Sequence, residues 1–85
     1  MSILKSQTFD VTTTQKRRRV SNTKSLMPVD GIVYVWYGDY TGTDVELLTV
    51  AMPIPSGKLL EHVQMHSGVI TLITATGTVK MHEVV

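Results

Sequence analysis

The sequence predicts an all-β protein: a small antiparallel meander of about five strands, curled into a barrel or a sandwich, with an extended basic N-terminal arm. Three observations support this prediction. Runs rich in β-branched and aromatic residues recur about every 8–14 residues between turn-forming residues. Two-residue turns punctuate the C-terminal third of the chain. Most of the basic residues lie within the first 26 positions.

Length and composition bound what the chain can be. Its 85 residues make one small domain, which buries only about 60% of its unfolded surface. Charged residues are 18% of the chain, below the roughly 25% of typical soluble domains. A surface this poor in charge is tolerated when neighbouring subunits cover part of it; the alternative is an ordinary β domain with Thr at outward positions. The chain has no Cys, so neither disulfides nor Cys-ligated metals supplement the core.

The charge distribution predicts a basic arm, residues 1–26, on an acidic all-β body, residues 27–85. The arm holds six basic residues and one acidic residue, whereas the body holds two basic and six acidic residues. Within the arm, Thr8–Thr14 is strand-like and would pair with the edge of the body or with another chain. Gln15–Ser25 is expected to be extended and irregular. The arm residues expected to make contacts are Phe9, Val11, Lys16, Arg17, Arg18, Arg19 and Lys24.

Three strands are predicted in the first half of the body. Gly31–Gly38 is apolar on both faces, which predicts a central strand or one covered on both sides. Asp44–Met52 is predicted as the second strand, ended by prolines. The turn Ser56-Gly57 then leads into a third strand, Lys58–Met65.

The last third, His62–Val85, predicts three strands joined by the turns Ser67-Gly68 and Thr76-Gly77. The first of them is the end of the strand Lys58–Met65, so the body has about five strands in all. The register that these turns imply pairs Thr71 with His82 and Ile73 with Lys80. It places three apolar side chains in one core-facing row: Val63, Leu72 and Met81. The opposite, polar face carries His62, Gln64, Thr71, Lys80 and His82.

Two carboxylates depart from this pattern, because the same register puts Glu61 and Glu83 on the core face. Burying an unpaired carboxylate costs several kcal/mol. Either each side chain reaches water near the end of its strand, or a subunit interface supplies a basic partner. Glu61 and Glu83 are therefore candidate interface residues.

Catalytic and metal-binding patterns are not found in the sequence. The register keeps His62, His66 and His82 roughly 12 Å apart, too far to share an ion. There is no GxSxG elbow, GxGxxG motif or P-loop. Asp39, Asp44 and Glu46 are interpreted as a solvated acidic loop in preference to a weak cation site. We expect no enzyme, no cofactor and no small-molecule substrate.

The basic run Lys16–Arg19 indicates contacts with phosphates or carboxylates. The aromatic residues of the body, Trp36 among them, offer stacking platforms for bases, although strand alternation favours packing for Trp36. The negative charge of the body opposes nucleic acid along the sheet.

These observations predict a structural or assembly protein, a small subunit of a larger complex such as a viral or phage virion component (capsid, decoration or tail). Its N-terminal arm would dock on neighbouring subunits, so its partners would be other copies of itself or other subunits. The alternative is a small-barrel nucleic-acid-binding protein that uses the basic arm. MSILKSQTFD has no secretory signal pattern, and no apolar run reaches the roughly 20 residues of a membrane span. We expect a virion protein made in the host cytoplasm, or otherwise a cytoplasmic one.

Overall fold

The structure, a computed structural model, describes residues 6–61 and 68–85. These residues form eight strands and one short helix, and the strands make two four-stranded antiparallel sheets. The all-β class is confirmed, and the two sheets do not close into a barrel. The elements are β1 (Ser6–Val11), β2 (Lys16–Arg19), β3 (Ser25–Pro28), β4 (Val33–Tyr37), α1 (Asp44–Val50), β5 (Met52–Ile54), β6 (Leu60–Glu61), β7 (Val69–Ile73) and β8 (Val79–Val84).

The order of the strands differs from a meander. It is β1-β8-β3-β6 in the first sheet and β2-β7-β4-β5 in the second sheet. Strands that are consecutive in the chain therefore lie mostly in different sheets. The two sheets stack on a shared interior that buries their inward apolar side chains.

The main core lies between the two sheets. Val11 and Met81 reach it from the first sheet, and Val35 and Leu72 reach it from the second; each is at most 3% exposed. Successive side chains of a strand point to opposite faces, so every second residue enters this core. The predicted core positions of Leu72 and Met81 are confirmed, whereas Val63 lies outside the described residues.

β4 is covered on both faces, as its sequence predicts. Val33 and Val35 belong to the core between the sheets. Tyr34 and Trp36 point to the other side, where they pack against a second cluster that includes Leu47 of α1. The helix is the cover that makes a strand with two apolar faces stable in water.

The predicted strand over Asp44–Met52 is wrong, because Asp44–Val50 is the helix α1. Thr43 caps it: its hydroxyl accepts a hydrogen bond from the amide of Glu46 at 3.2 Å. Thr43 and Glu46 have the spacing of a capping box, which favours a helix start. Only the last part of the predicted strand, from Met52, enters a sheet as β5.

The extended basic arm is not supported. Residues 6–11 form β1, which pairs with β8, and residues 16–19 form β2, which pairs with β7. The segment therefore supplies one edge strand to each sheet. Of the two partners considered for Thr8–Thr14, the structure shows the edge of the body, and the irregular segment Gln15–Ser25 contains a regular strand.

The turn at Thr76-Gly77 does not form a hairpin. β7 pairs with β2 and β4, whereas β8 pairs with β1 and β3. The predicted pairs of Thr71 with His82 and of Ile73 with Lys80 are therefore wrong, because the chain crosses from one sheet to the other between these strands. Thr71 was placed on the polar face but is buried, since the outer face of the second sheet is covered.

Predictions for residues 58–67 are tested only in part. The turn at Ser56-Gly57 is confirmed: the amide of Lys58 donates to the carbonyl of Pro55 at 3.1 Å, and Gly57 has φ 82°. Such a φ favours glycine. The strand predicted over Lys58–Met65 is present as Leu60–Glu61. The remaining predictions, including His62, His66 and the Ser67-Gly68 turn, involve residues 62–67, which lie outside the described part.

Candidate interaction surfaces

A buried ionic centre lies where the N-terminal strands meet β8. Glu83 points inward and is 2% exposed. Its Oε1 accepts hydrogen bonds from Nη2 of Arg18 at 2.7 Å and from Nε2 of Gln7 at 2.6 Å, and its Oε2 accepts one from the hydroxyl of Thr23 at 2.6 Å. The carboxylate therefore has three donors from three separate parts of the N-terminal segment.

Arg18 is held in place on a second side by an aromatic ring. Its guanidinium carbon lies 3.6 Å from the centroid of the Phe9 ring. A guanidinium over an aromatic face is attracted by the ring quadrupole. Phe9 on β1 thus orients Arg18 on β2 toward Glu83 on β8, and the centre joins both sheets.

Two opposing effects set the pKa of Glu83. Burial by itself raises the pKa, because it penalises the charged form. The hydrogen bonds from Arg18, Thr23 and Gln7, together with the charge of Arg18, outweigh burial, so the pKa of Glu83 lies below its ordinary value. Glu83 is therefore an ionised, fully hydrogen-bonded group at neutral pH.

The two predicted interface carboxylates are in different environments. Glu61 is exposed, which agrees with the first of the two alternatives, that its side chain reaches water. Glu83 has a basic partner, but that partner is Arg18 of the same chain rather than a residue of a neighbour. The role of both residues at an interface stays a prediction.

The other basic residues lie on the surface. Arg17 donates to the carboxylate of Asp39, and both side chains are more than half exposed. Lys16, Arg19 and Lys24 are exposed, and within the described residues they make no ion pair. Strand alternation explains this division, since it turns Arg18 inward and its neighbours outward. Two of the three arginines are thus already bound to carboxylates.

The acidic loop does not gather its carboxylates around one point. Asp39 accepts from Arg17, Asp44 accepts from the amide of Gln15 at 3.2 Å, and Glu46 accepts from the hydroxyl of Tyr40 at 3.4 Å. Among residues 6–61 and 68–85, no three His, Cys, Asp or Glu side chains are grouped to hold a metal ion. His82 lies on β8 beside Met27 and Thr8 of the neighbouring strands.

The aromatic side chains of the second sheet are engaged in packing. Trp36 and Tyr40 form an edge-to-face pair with centroids 5.3 Å apart. Tyr34 packs on the same cluster under α1, and Tyr37 packs on the main core. Burial raises the pKa of Tyr40, and the nearby Glu46 carboxylate raises it further. The packing interpretation of Trp36 agrees with this arrangement.

An apolar groove lies between the C-terminal end of α1 and the β4–β5 edge of the second sheet. We define the apolar groove by its lining residues, which are Val35, Trp36, Tyr37, Val50 and Met52. Its volume is about 370 Å³. Val50 is 53% exposed and Met52 is 42% exposed. Sequence reasoning did not identify Val50 and Met52 as surface residues, because it assigned them to a strand; the Thr43–Glu46 capping pattern is the signal that would have placed them at a helix end.

Comparisons with known proteins give no match: no protein-family model, no curated protein and no solved structure matches this chain. In the part of the chain that the structure describes, no helix has the length and apolar character that crossing a membrane requires.

Proposed function

We propose that this chain is a structural subunit of a larger assembly, of the kind that builds viral and phage particles. Its partners would be other copies of itself or other subunits, and it would perform no catalytic step. The observation that carries the proposal is the apolar groove with its two half-exposed rim residues, Val50 and Met52. Grouped apolar side chains at a surface mark contacts with other proteins.

The composition of the groove supports a protein partner. It combines Trp36, Tyr37 and Met52 with two valines, and aromatic residues and Met are enriched in the centres of protein interfaces. Val45, on the same helix, is 74% exposed. An apolar side chain of a neighbouring subunit would fill the groove and bury its exposed apolar surface. Each Å² of apolar surface removed from water would stabilise the contact by about 25 cal/mol.

The charges of the chain weigh against the nucleic-acid alternative. Asp39 and Glu83 neutralise Arg17 and Arg18, which leaves Lys16, Arg19 and Lys24 for phosphates among the described basic residues of the predicted arm. Three phosphate contacts would give a slope of roughly −2.7 for log affinity against log salt. A salt-dependent affinity for RNA or DNA of that steepness would favour the alternative over the assembly role.

Substitution in the groove tests the proposal. We expect wild-type protein to self-associate as its concentration rises in light scattering and native mass spectrometry. Val50→Lys should weaken that association about tenfold, because it places a charge in an apolar contact at a cost of about 1.4 kcal/mol. Thermal melting should be nearly unchanged, since the side chain is half exposed.

Val29→Lys is the matched control. Val29 is 45% exposed, close to Val50, but it lies outside the groove. Val29→Lys should therefore leave the self-association unchanged. A wild-type protein that remains monomeric at all concentrations would contradict the proposed assembly through this surface. Equal effects of Val50→Lys and Val29→Lys would show that the groove is not the contact surface.

A further inference from the structure

Within residues 6–61 and 68–85 the two sheets have four edge strands, and two of them carry features that block pairing with another chain. The edges are β1 and β6 in the first sheet and β2 and β5 in the second. Proteins block such edges with short strands, charges or proline. β2 is Lys-Arg-Arg-Arg and β5 contains Pro53, whereas β6 adjoins residues outside the described part. β1 has six residues, neither Pro nor Gly, and Asp10 as its only ionisable side chain.

We infer that β1 pairs antiparallel with β1 of a second copy, which rests on and deepens the proposed role as an assembly subunit. Within the described residues β1 pairs with β8 alone, so its other edge is unpaired there. Ser6, Thr8 and Asp10 are exposed, and β1 is rich in residues that favour strands. A strand added at this edge gains main-chain hydrogen bonds.

Charge disfavours some pairings of β1 with β1 of a second copy and is compatible with others. In a parallel pair, or in an antiparallel pair centred on Asp10, the two Asp10 carboxylates would lie side by side and repel. An antiparallel pair centred on Thr8 sets Asp10 opposite Ser6 instead. It separates the two Asp10 residues by four positions along the strand, roughly 14 Å, which exceeds the Debye length of about 8 Å at physiological salt.

The remaining side chains are compatible with that register. Thr8 meets Thr8 of the second copy, a favourable cross-strand pair, and Gln7 meets Phe9. Asp10 keeps its own cation, since Nζ of Lys80 lies 3.8 Å away on β8. No net charge opposes the contact at the edge.

The symmetry of this contact closes it. A pair centred on one residue is isologous, so both copies use the same edge and none is left over. The product is a dimer with a continuous eight-stranded sheet, in the order β6-β3-β8-β1 and then its mirror order in the second copy. The apolar groove lies on the other sheet of each copy, so it remains available for further contacts.

Opposite charges at position 8 test the pairing. Thr8→Lys or Thr8→Glu alone places two like charges across the axis, which should weaken the dimer roughly five- to tenfold at low salt. An equimolar mixture of the two variants should restore the dimer and enrich the heterodimer in native mass spectrometry. High salt should reduce both effects. Thr41→Lys, at an exposed loop position, is the control and should leave the dimer intact.

The outcomes separate this inference from the proposed function. If wild type associates, Val50→Lys weakens the association and charges at position 8 do not, the β1 pairing is overturned and the structural role stands. If charges at position 8 weaken the dimer and the mixture restores it, while Val50→Lys has no effect, the β1 pairing is supported. The groove is then not a contact surface for self-association. A monomeric wild type, or a mixture that shows no preference for the heterodimer, overturns the pairing.

Discussion

Glu83 joins residues 7–23 to the C-terminal strand. Arg18, Gln7 and Thr23 all donate to its carboxylate, and the described part of the chain leaves no buried side-chain polar atom without a hydrogen bond. A buried charge is tolerated when it is paired and fully hydrogen-bonded. The inward-facing glutamate is therefore a structural feature of the single chain.

Glu83→Gln should lower the free energy of unfolding at pH 7 by about 2 kcal/mol, since it removes charge-assisted hydrogen bonds and leaves Arg18 without a counter-ion. Chemical denaturation at constant pH measures this change. Glu61→Gln is the matched control, because Glu61 is an exposed glutamate; it should change stability by less than about 0.5 kcal/mol. Equal losses in both variants would contradict the assigned role of Glu83.

The stability of the wild type should also fall in acid through this group. Folding lowers the pKa of Glu83, so its contribution is complete above the ordinary glutamate pKa of about 4.3. It is lost as the pH falls through the lower pKa of the folded state. The stability difference between wild type and Glu83→Gln should therefore shrink below about pH 4. A difference that stays constant down to pH 2 would show that ionisation of Glu83 is not its source.

At the scale of the elements, α1 depends on its cap more than a long helix would, because it has seven residues and little helical propensity of its own. Thr43→Ala removes the hydroxyl that accepts from the Glu46 amide, and should cost about 1 kcal/mol of unfolding free energy. Thr49→Ala is the control within the same helix. Its hydroxyl bonds only back to the Glu46 carbonyl, so its removal should be neutral or slightly stabilising.

The strands and the helix differ in how well the sequence predicts them. The alternation in Val33–Tyr37 is local, and it correctly predicts a strand with two covered faces. In Asp44–Val50 the β-branched residues favour a strand, while the cap at Thr43 and the packing of Leu47 under the second sheet favour a helix. The packing of Leu47 decides between the strand and the helix. Propensities alone do not predict this tertiary contact.

At the scale of the molecule, alternation predicts which side chains are buried but not which strands pair. Leu72 and Met81 reach the core either in a hairpin or across a sandwich, since both arrangements turn every second residue inward. The choice between them depends on which strands flank β7 and β8, and those strands, β2 and β4 for β7 and β1 and β3 for β8, are non-local partners. The same limit applies to the site: the arginine run predicts carboxylate contacts, but only the pairing of β2 shows that Arg18 turns inward to Glu83.

The structure makes the N-terminal strands part of the fold, and deletion of residues 1–20 tests this directly. The deletion removes β1 and β2, the buried Val11 and Val20, and two of the donors to Glu83. Each buried valine contributes about 1.5–3 kcal/mol, and a buried carboxylate that loses its basic partner costs several more. Together these losses match the 5–15 kcal/mol by which small proteins are stable, so the shortened chain should show no cooperative thermal transition by circular dichroism.

An arm that only docks on neighbours would give the opposite result, because its removal would leave a body that still melts cooperatively. A peptide of residues 1–20 added to the shortened chain distinguishes a missing part of the fold from general damage. The peptide should restore the transition, since it returns an edge strand to each sheet and Arg18 to Glu83. The same peptide with Arg18→Glu should restore it poorly, because two carboxylates would then meet at the buried centre.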